Sequence, residues 1–413
     1  MTEAMLRRRA FGPNFLPELD FDGIEAGADS ILAEVGLKFE GDHETLERWR
    51  EFGAELDGER VRLDGAALRA TIRASAPRTI RLRARCGARD RAIGAGCPAV
   101  FAPAYGSPNV RRMDGKRLPG SAALYRELVT LVHSCRSITN TGHMICVMND
   151  VPEAERSMEM ALAHLEMSDK AFMGTTASPV EAGRVIAAAE LAIGRAPELG
   201  ACDLLHLINS TPPLTYKENP LKCLREIAVR RQGLMVTSYM MMGATAPVTP
   251  GGALIQGYAE VLAGLALAQL WAPGAPVVMG LFGTPFSMSR MQPFFGDPVT
   301  QLIQLYAVGL ARRLGVPVRG DGGVTSANSD DAQAGFEGAR ATWFADASGS
   351  DFILHAGGWL ESGRCVSMGK LAREATAIYD HEYGREAESD APHTEVDRAL
   401  VDHIRGNWTT LGG

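Results

Sequence analysis

Apolar positions recur along this chain in two alternating rhythms. Short runs rich in β-branched residues are separated by longer segments whose apolar residues return every three to four positions. The first pattern suits a strand buried on both faces, and the second a helix with one apolar stripe. Strands are predicted at 99–102, 137–140, 171–175, 204–208, 234–237, 276–279, 316–319 and 351–354, with helices at 122–132, 151–167, 179–193, 221–231, 252–270, 300–314 and 331–347. Eight strands alternating with helices over about 255 residues is the arithmetic of an α/β protein of the (β/α)8 TIM-barrel type. A doubly wound open sheet would normally carry a GxGxxG turn after its first strand. Here Pro103-Ala104-Tyr105-Gly106 follows instead.

Before about residue 98 the rhythm differs. Helices are expected at 20–34, with Ile24, Ala28, Ile31 and Leu32 on one face, and at 42–52; short strands at 60–63 and 79–82 flank a helix at 65–76. The chain therefore divides into an accessory α+β region (1–95), a catalytic barrel (96–370) and a polar tail (371–413). The run 251–271 is apolar enough to raise the question of a membrane span. Gln256, Glu260 and Gln269 interrupt it and Pro250 and Pro273 bracket it, which favours a buried core helix.

Composition narrows the class. With 413 residues, 46% of them hydrophobic, and a net charge of −7, neither nucleic acid nor an anionic membrane is the expected partner. Seven scattered cysteines without a CxxC motif read as reduced thiols in a cytoplasm. The first fifteen residues hold three arginines but no apolar core, so no signal peptide is expected. Small residues on one face of the apolar helix (Ala253, Gly257, Gly264, Ala268) suit close packing, as in a homo-oligomer.

The segments GATAPVTPGGALIQGYAEVLAGLALAQL, SDDAQAGFEGA and FILHAGGWLESG, with ILAEVGLKFEGDHETLERWREFGAELDGERVRL, AYGSPNVRRMDGKRLPGSAALYRELVTLV and SDKAFMG upstream, resemble the trimethylamine methyltransferase superfamily. These are the MttB-like corrinoid-dependent methyltransferases. The resemblance covers nearly the whole chain to about residue 370. It implies a barrel enzyme that moves a methyl group from an amine to the Co(I) of a separate corrinoid protein. Cobalamin is then supplied by the partner, with no cofactor bound tightly here. The trimethylamine branch contains pyrrolysine, and this chain has only the twenty standard residues. It is therefore similar to the non-pyrrolysine branch, which acts on quaternary amines such as glycine betaine and related carboxylated betaines.

That chemistry needs little from side chains beyond positioning. A quaternary nitrogen leaves as a neutral amine, so a dry site and an in-line path for the methyl suffice. Aromatic faces are the natural partners of such a cation, and Tyr105, Tyr239, Phe282, Phe286 and Trp359 all follow predicted strands. The Gly322–Gly323 and Gly357–Gly358 turns end the seventh and eighth strands, where α/β barrels often bind anions through backbone N–H groups. They are the expected carboxylate site, although tight-turn geometry explains the glycines equally. His355 could donate to that carboxylate, and Arg319 and Arg364 are near in sequence. Asp321 is expected to balance the substrate cation. Glu260, alone in an apolar helix, either does the same or is a hydrogen-bonded strut. Asp321, His355 and Glu260 are thus the catalytic candidates. Tyr105, Tyr239, Phe282, Asp321, His355 and Trp359 should converge on one cavity open at the strands' C-terminal ends. Met240–Met242 would serve as core or as lining against a corrin ring.

Two other classes remain. His143, Cys146, His206 and Cys365 sit near predicted strand ends and could form the zinc site of a thiol methyltransferase. The spacing is not diagnostic, and no bound metal is expected. The other is a non-catalytic betaine-binding barrel, since fold alone does not specify activity.

Overall fold

The computed structural model describes residues 20–382 except 197; the extreme N-terminus and most of the polar tail lie outside the described residues. Seven parallel strands form one curled sheet: β1 (Val100–Phe101), β2 (Phe172–Gly174), β3 (Leu204–Asn209), β4 (Gly233–Met242), β5 (Val277–Ser287), β6 (Val318–Asp321) and β7 (Phe352–Leu354), in the order β1-β7-β6-β5-β4-β3-β2. The eighth stave is an extended segment around Asn140. Asn140 bridges to Ala171 in parallel, and the Thr139 and Asn140 N–H groups donate to the Phe101 carbonyl at 3.1 and 3.0 Å. This closes the ring between β1 and β2 as a (β/α)8 barrel.

Side-chain alternation assigns inside and outside. Along β4, Leu234, Val236, Met240 and Met242 pack outward against helices, whereas Met235 joins the interior. Tyr239, four residues on, shares the inward parity. The outer layer consists of α1 (Ala122–Ser134), α2 (Glu153–Met167), α3 (Pro179–Ile193), α4 (Glu218–Val229), α5 (Pro250–Trp271), α6 (Val299–Leu314), α7 (Ala332–Ala347) and α8 (Met368–Glu382). Among the described residues α5 alone is long and apolar enough to cross a membrane, and it is buried inside the protein. Thr249 caps it by accepting from the Gly252 N–H, with Pro250 in its first turn.

Three sequence expectations shift. β6 begins two residues later than predicted, because Gly315, at φ 82°, still terminates α6 and Pro317 lacks an N–H for the ladder. β4 and β5 run on well past their predicted ends and stay paired as far as Met242 and Pro285. α8 was not anticipated: Leu371, Ala375 and Ile378 form its apolar stripe, masked in sequence by the charged residues between them.

The accessory region closes the other end of the barrel. Strands Thr79–Leu82 and Arg91–Gly94, with Ala201–Cys202, form a small sheet. Ile80, Leu82 and Ile93 pack against interior Met173, Leu205, Met235, Val278 and Phe352. Among the described residues that end is plugged, which leaves the C-terminal ends of the strands as the approach to the interior.

Candidate active site

Arg319 and Asp321 sit two apart on β6, so both point inward at successive levels. The Arg319 guanidinium contacts the Asp321 carboxylate and lies 3.3 Å from His355 Nε2. Arginine can only donate, so Nε2 accepts and the His355 proton sits on Nδ1. Among the described residues neither His355 Nδ1 nor Arg319 Nε has a partner, although both are buried. Burial pushes Asp321 up to about 6, opposed by the neighbouring guanidinium. Burial and Arg319 together hold His355 well below its ordinary value, so the imidazole is neutral. His355 also takes φ 61°, a left-handed conformation rare outside glycine and found at functional positions.

Rings enclose this polar core. Tyr239 on β4 and Phe282 on β5 are register partners with centroids 5.1 Å apart. Phe282 lies 6.2 Å from His355, and His355 lies 4.4 Å from Trp359. The Arg319 guanidinium stands 5.2 Å over the Phe282 ring. Trp359 is fixed by its Nε1 donating to the Thr325 carbonyl at 3.2 Å. Tyr239, Phe282, Asp321, His355 and Trp359 therefore form one contiguous group, drawn from four strands and separated by up to 120 residues in sequence.

The remaining candidates fall elsewhere. Tyr105 ends the first stave beside His143, with centroids 6.3 Å apart, and packs on the interior core with no ring contact to the group among the described residues. Burial pushes its phenol up to about 12. Phe286 lies one hairpin step further along β5, paired with Pro293.

One of the two glycine turns binds an anion, and it is an internal one. The Gly358 N–H donates to Glu374 Oε2 at 2.9 Å, and the Gly322 N–H to the Leu354 carbonyl at 2.8 Å. The Gly323 carbonyl accepts from Lys370 Nζ at 2.8 Å, and that of Gly357 from Ala104 N–H at 2.8 Å. Lys370 and Glu374 are themselves paired, and a Cβ on Gly323 would collide with the Glu374 carboxylate. The expectation that the Gly322 and Gly358 amides hold a substrate carboxylate is thus corrected: both are already engaged.

Glu260 is likewise corrected to a strut. Its carboxylate accepts from Ser210 Oγ (2.6 Å), Ser238 Oγ (2.7 Å), Leu214 N–H (2.7 Å) and Gln256 Nε2 (3.0 Å), on the outer side of β4. Burial still raises its pKa against these donors. The zinc set is not assembled. Cys146 is in the outer core and Cys365 in a peripheral cluster, while His206 Nδ1 donates to the Thr175 carbonyl at 2.8 Å from the helix-facing side of β3. Among the described residues no three His, Cys, Asp or Glu side chains stand together as metal ligands would. A cavity of ≈ 670 Å³ lies outside the barrel between α7 and α8, and neither Arg319, Asp321, His355 nor any of the site's rings lines it.

Two participants were not among the sequence candidates. Arg319 was noted only for proximity, although an arginine inside a barrel strand is itself a signal. Phe295 stacks on the group from a long β5–α6 connection, where no strand end advertised it; Phe294-Phe295 between two prolines was the available clue.

Comparison with known proteins fits this geometry. The family model described as Trimethylamine methyltransferase (MTTB) matches residues 4–383. The chain belongs to this family. It is 32% identical over 359 residues to a glycine betaine methyltransferase of Desulfitobacterium hafniense (strain Y51), covering 87% of this chain and 74% of the relative. A proline betaine:corrinoid methyltransferase of Eubacterium limosum is 26% identical, covering 87% and 75% respectively. The crystal structure of the Methanosarcina barkeri monomethylamine methyltransferase superposes with a TM-score of 0.57 over 99% of this chain and 92% of that one. At 12% identity, the structural match concerns the fold alone.

Proposed function

We propose that this protein demethylates a carboxylated quaternary amine of the glycine betaine type and passes the methyl group to the Co(I) of a separate corrinoid protein. The observation that carries the proposal is the buried Arg319–Asp321–His355 group with two donors unspent, ringed by aromatic faces. A betaine is a zwitterion, and the group offers a complementary charge to each of its ends. Its carboxylate is an acceptor only, matched by Arg319 Nε and His355 Nδ1. Its ammonium can form no hydrogen bond, and the faces of Tyr239, Phe282 and Trp359 are each worth roughly 0.5–2 kcal/mol to such a cation. Asp321 lies at the level of those rings, one step nearer the mouth than Arg319.

This arrangement orients the substrate. The carboxylate goes down towards Arg319, the ammonium sits above it beside Asp321, and one methyl points out of the barrel. The leaving group is a neutral tertiary amine, so no general acid is required and none is assigned. Neutral His355 keeps Arg319 directed without adding a second positive charge near the ammonium. The corrinoid supplies, when docked, a Co(I) nucleophile that takes the methyl in line. The plugged lower end leaves the strands' C-terminal face as its approach. Homologues named for glycine betaine and proline betaine support the same substrate class.

The test is methyl transfer by purified protein to free cob(I)alamin. Glycine betaine or a close carboxylated analogue should be demethylated and trimethylamine should not. Use of trimethylamine with failure of every betaine would refute the reading.

A further inference from the structure

The rings assigned to the ammonium touch one another instead of standing around a space. Phe295 is at their centre. Its centroid is 6.4 Å from Tyr239 with the planes 7° apart, 5.7 Å from Phe282 at 26°, and 5.1 Å from Trp359 at 71°. Both near-parallel contacts cover faces that a cation would use, and Arg319 also stands over the Phe282 ring. A trimethylammonium group that takes up these ring faces has to displace Phe295 from them.

The segment bearing Phe295 is built differently from the rest of the site. Tyr239 and Phe282 sit on paired strands, whereas Phe295 follows a hairpin in which the end of β5 pairs with Gln292–Pro293. The tip of that hairpin carries exposed Met288 and Met291, the latter at φ 49°. Thr284 Oγ1 donates to the Phe294 carbonyl at 2.9 Å, and the Phe295 N–H donates to Ser326 Oγ at 2.8 Å. The Phe294 N–H also donates to the Pro285 carbonyl at 2.9 Å, the last rung of the hairpin; beyond it the chain is held by side-chain-to-backbone bonds that a small hinge motion can break singly.

We propose that Phe295 occupies the ammonium position in the substrate-free protein and is displaced by the substrate, so that it selects the head groups the site accepts. The inference rests on the assignment of the neighbouring rings to the ammonium. A phenyl ring and a trimethylammonium group are comparable in width and both pack on aromatic faces, so each can replace the other. A ligand without a cation gains nothing from the exposed faces and leaves Phe295 in place. Occupancy by Phe295 lowers the apparent affinity by the fraction of open molecules.

Calorimetric titration with glycine betaine, without any corrinoid, tests this on wild type and Phe295→Ala. Displacement predicts that the variant binds about tenfold more tightly, since the competing ring is gone. Weaker or unchanged binding by the variant makes Phe295 a fixed wall and overturns the gate, leaving the betaine assignment intact. Failure of both proteins to bind any betaine overturns the assignment and the gate together. Hydrogen exchange on wild type gives a second readout that does not depend on the variant folding. Amides of residues 288–295 should exchange faster when glycine betaine is bound; slower or unchanged exchange in a protein that binds it also overturns the gate.

Discussion

The barrel buries an arginine–aspartate pair at each end, and the two are built to different standards. At the plugged end, Arg83 meets Asp203 with two bonds, Nε to Oδ1 at 2.6 Å and Nη2 to Oδ2 at 2.8 Å. Its Nη1 donates to the carbonyls of Ala196 (2.6 Å) and Arg195 (3.2 Å). At the open end, Arg319 meets one Asp321 oxygen, reaches Thr237 Oγ1 only at 3.5 Å, and leaves Nε without a partner. Buried charges are normally hydrogen-bonded to saturation, because an unmatched one is costly. The lower pair meets that standard and locks the accessory sheet to the barrel. The upper pair falls short, and its spare donors are what the proposed betaine site rests on. Glu260, with four donors on its carboxylate, belongs with the lower pair despite lying beside a strand of the site.

The contrast predicts different failures. The largest should follow Asp203→Ala, which leaves Arg83 buried and alone. Destabilisation of about 3–5 kcal/mol is expected in denaturant titration, with betaine affinity unchanged in the molecules that fold. Loss of affinity without loss of stability would reverse the roles given to the two ends. Next is Arg319→Met at the upper pair. Losing a charged hydrogen-bond partner should weaken glycine betaine binding by about 2–3 kcal/mol. Asp321 can then protonate, so the melting temperature should change little. Glu260→Gln should cost about 1–3 kcal/mol in stability through one mismatched donor or acceptor and leave affinity alone. A large affinity loss there would return Glu260 to the site.

The smallest effect is a pH dependence. Asp321 is raised by burial to about 6, and the groups facing it are Arg319, neutral His355 and Tyr239. Only the ionised carboxylate helps hold an ammonium, so glycine betaine affinity should fall as pH drops through about 6. The stability sign is opposite. A carboxyl whose folded pKa lies above its ordinary value contributes stability that is present below the ordinary value and lost as pH rises through about 6. Asp321→Asn should flatten both curves. Persistence of either in that variant would assign the titration to another group.

Much of this was legible in the chain. All eight staves, most of the outer helices and five convergent site residues followed from apolar periodicity and from strand ends. The stave predicted at 137–140 is present, but as a single bridge at Asn140 and not a ladder. The glycine turns were expected to hold a substrate carboxylate, whereas the Gly358 N–H meets an internal one and the Gly322 N–H a backbone carbonyl. The sequence could not reveal that Glu374, supplied by the unforeseen α8, would be the anion at Gly358. Phe295 was hidden for a related reason: its place depends on how a connection folds back, which periodicity does not encode. Whether Glu260 was a strut or a catalyst turned on Ser210, Ser238 and Leu214, whose approach is set by tertiary packing.

The most direct test of the account is a crystal structure of the protein with glycine betaine bound. The carboxylate should lie against Arg319 and His355, the ammonium beside Asp321 among Tyr239, Phe282 and Trp359, and one methyl should face out of the barrel. A betaine seated in the groove between α7 and α8, or one with its carboxylate turned towards the mouth, would contradict it.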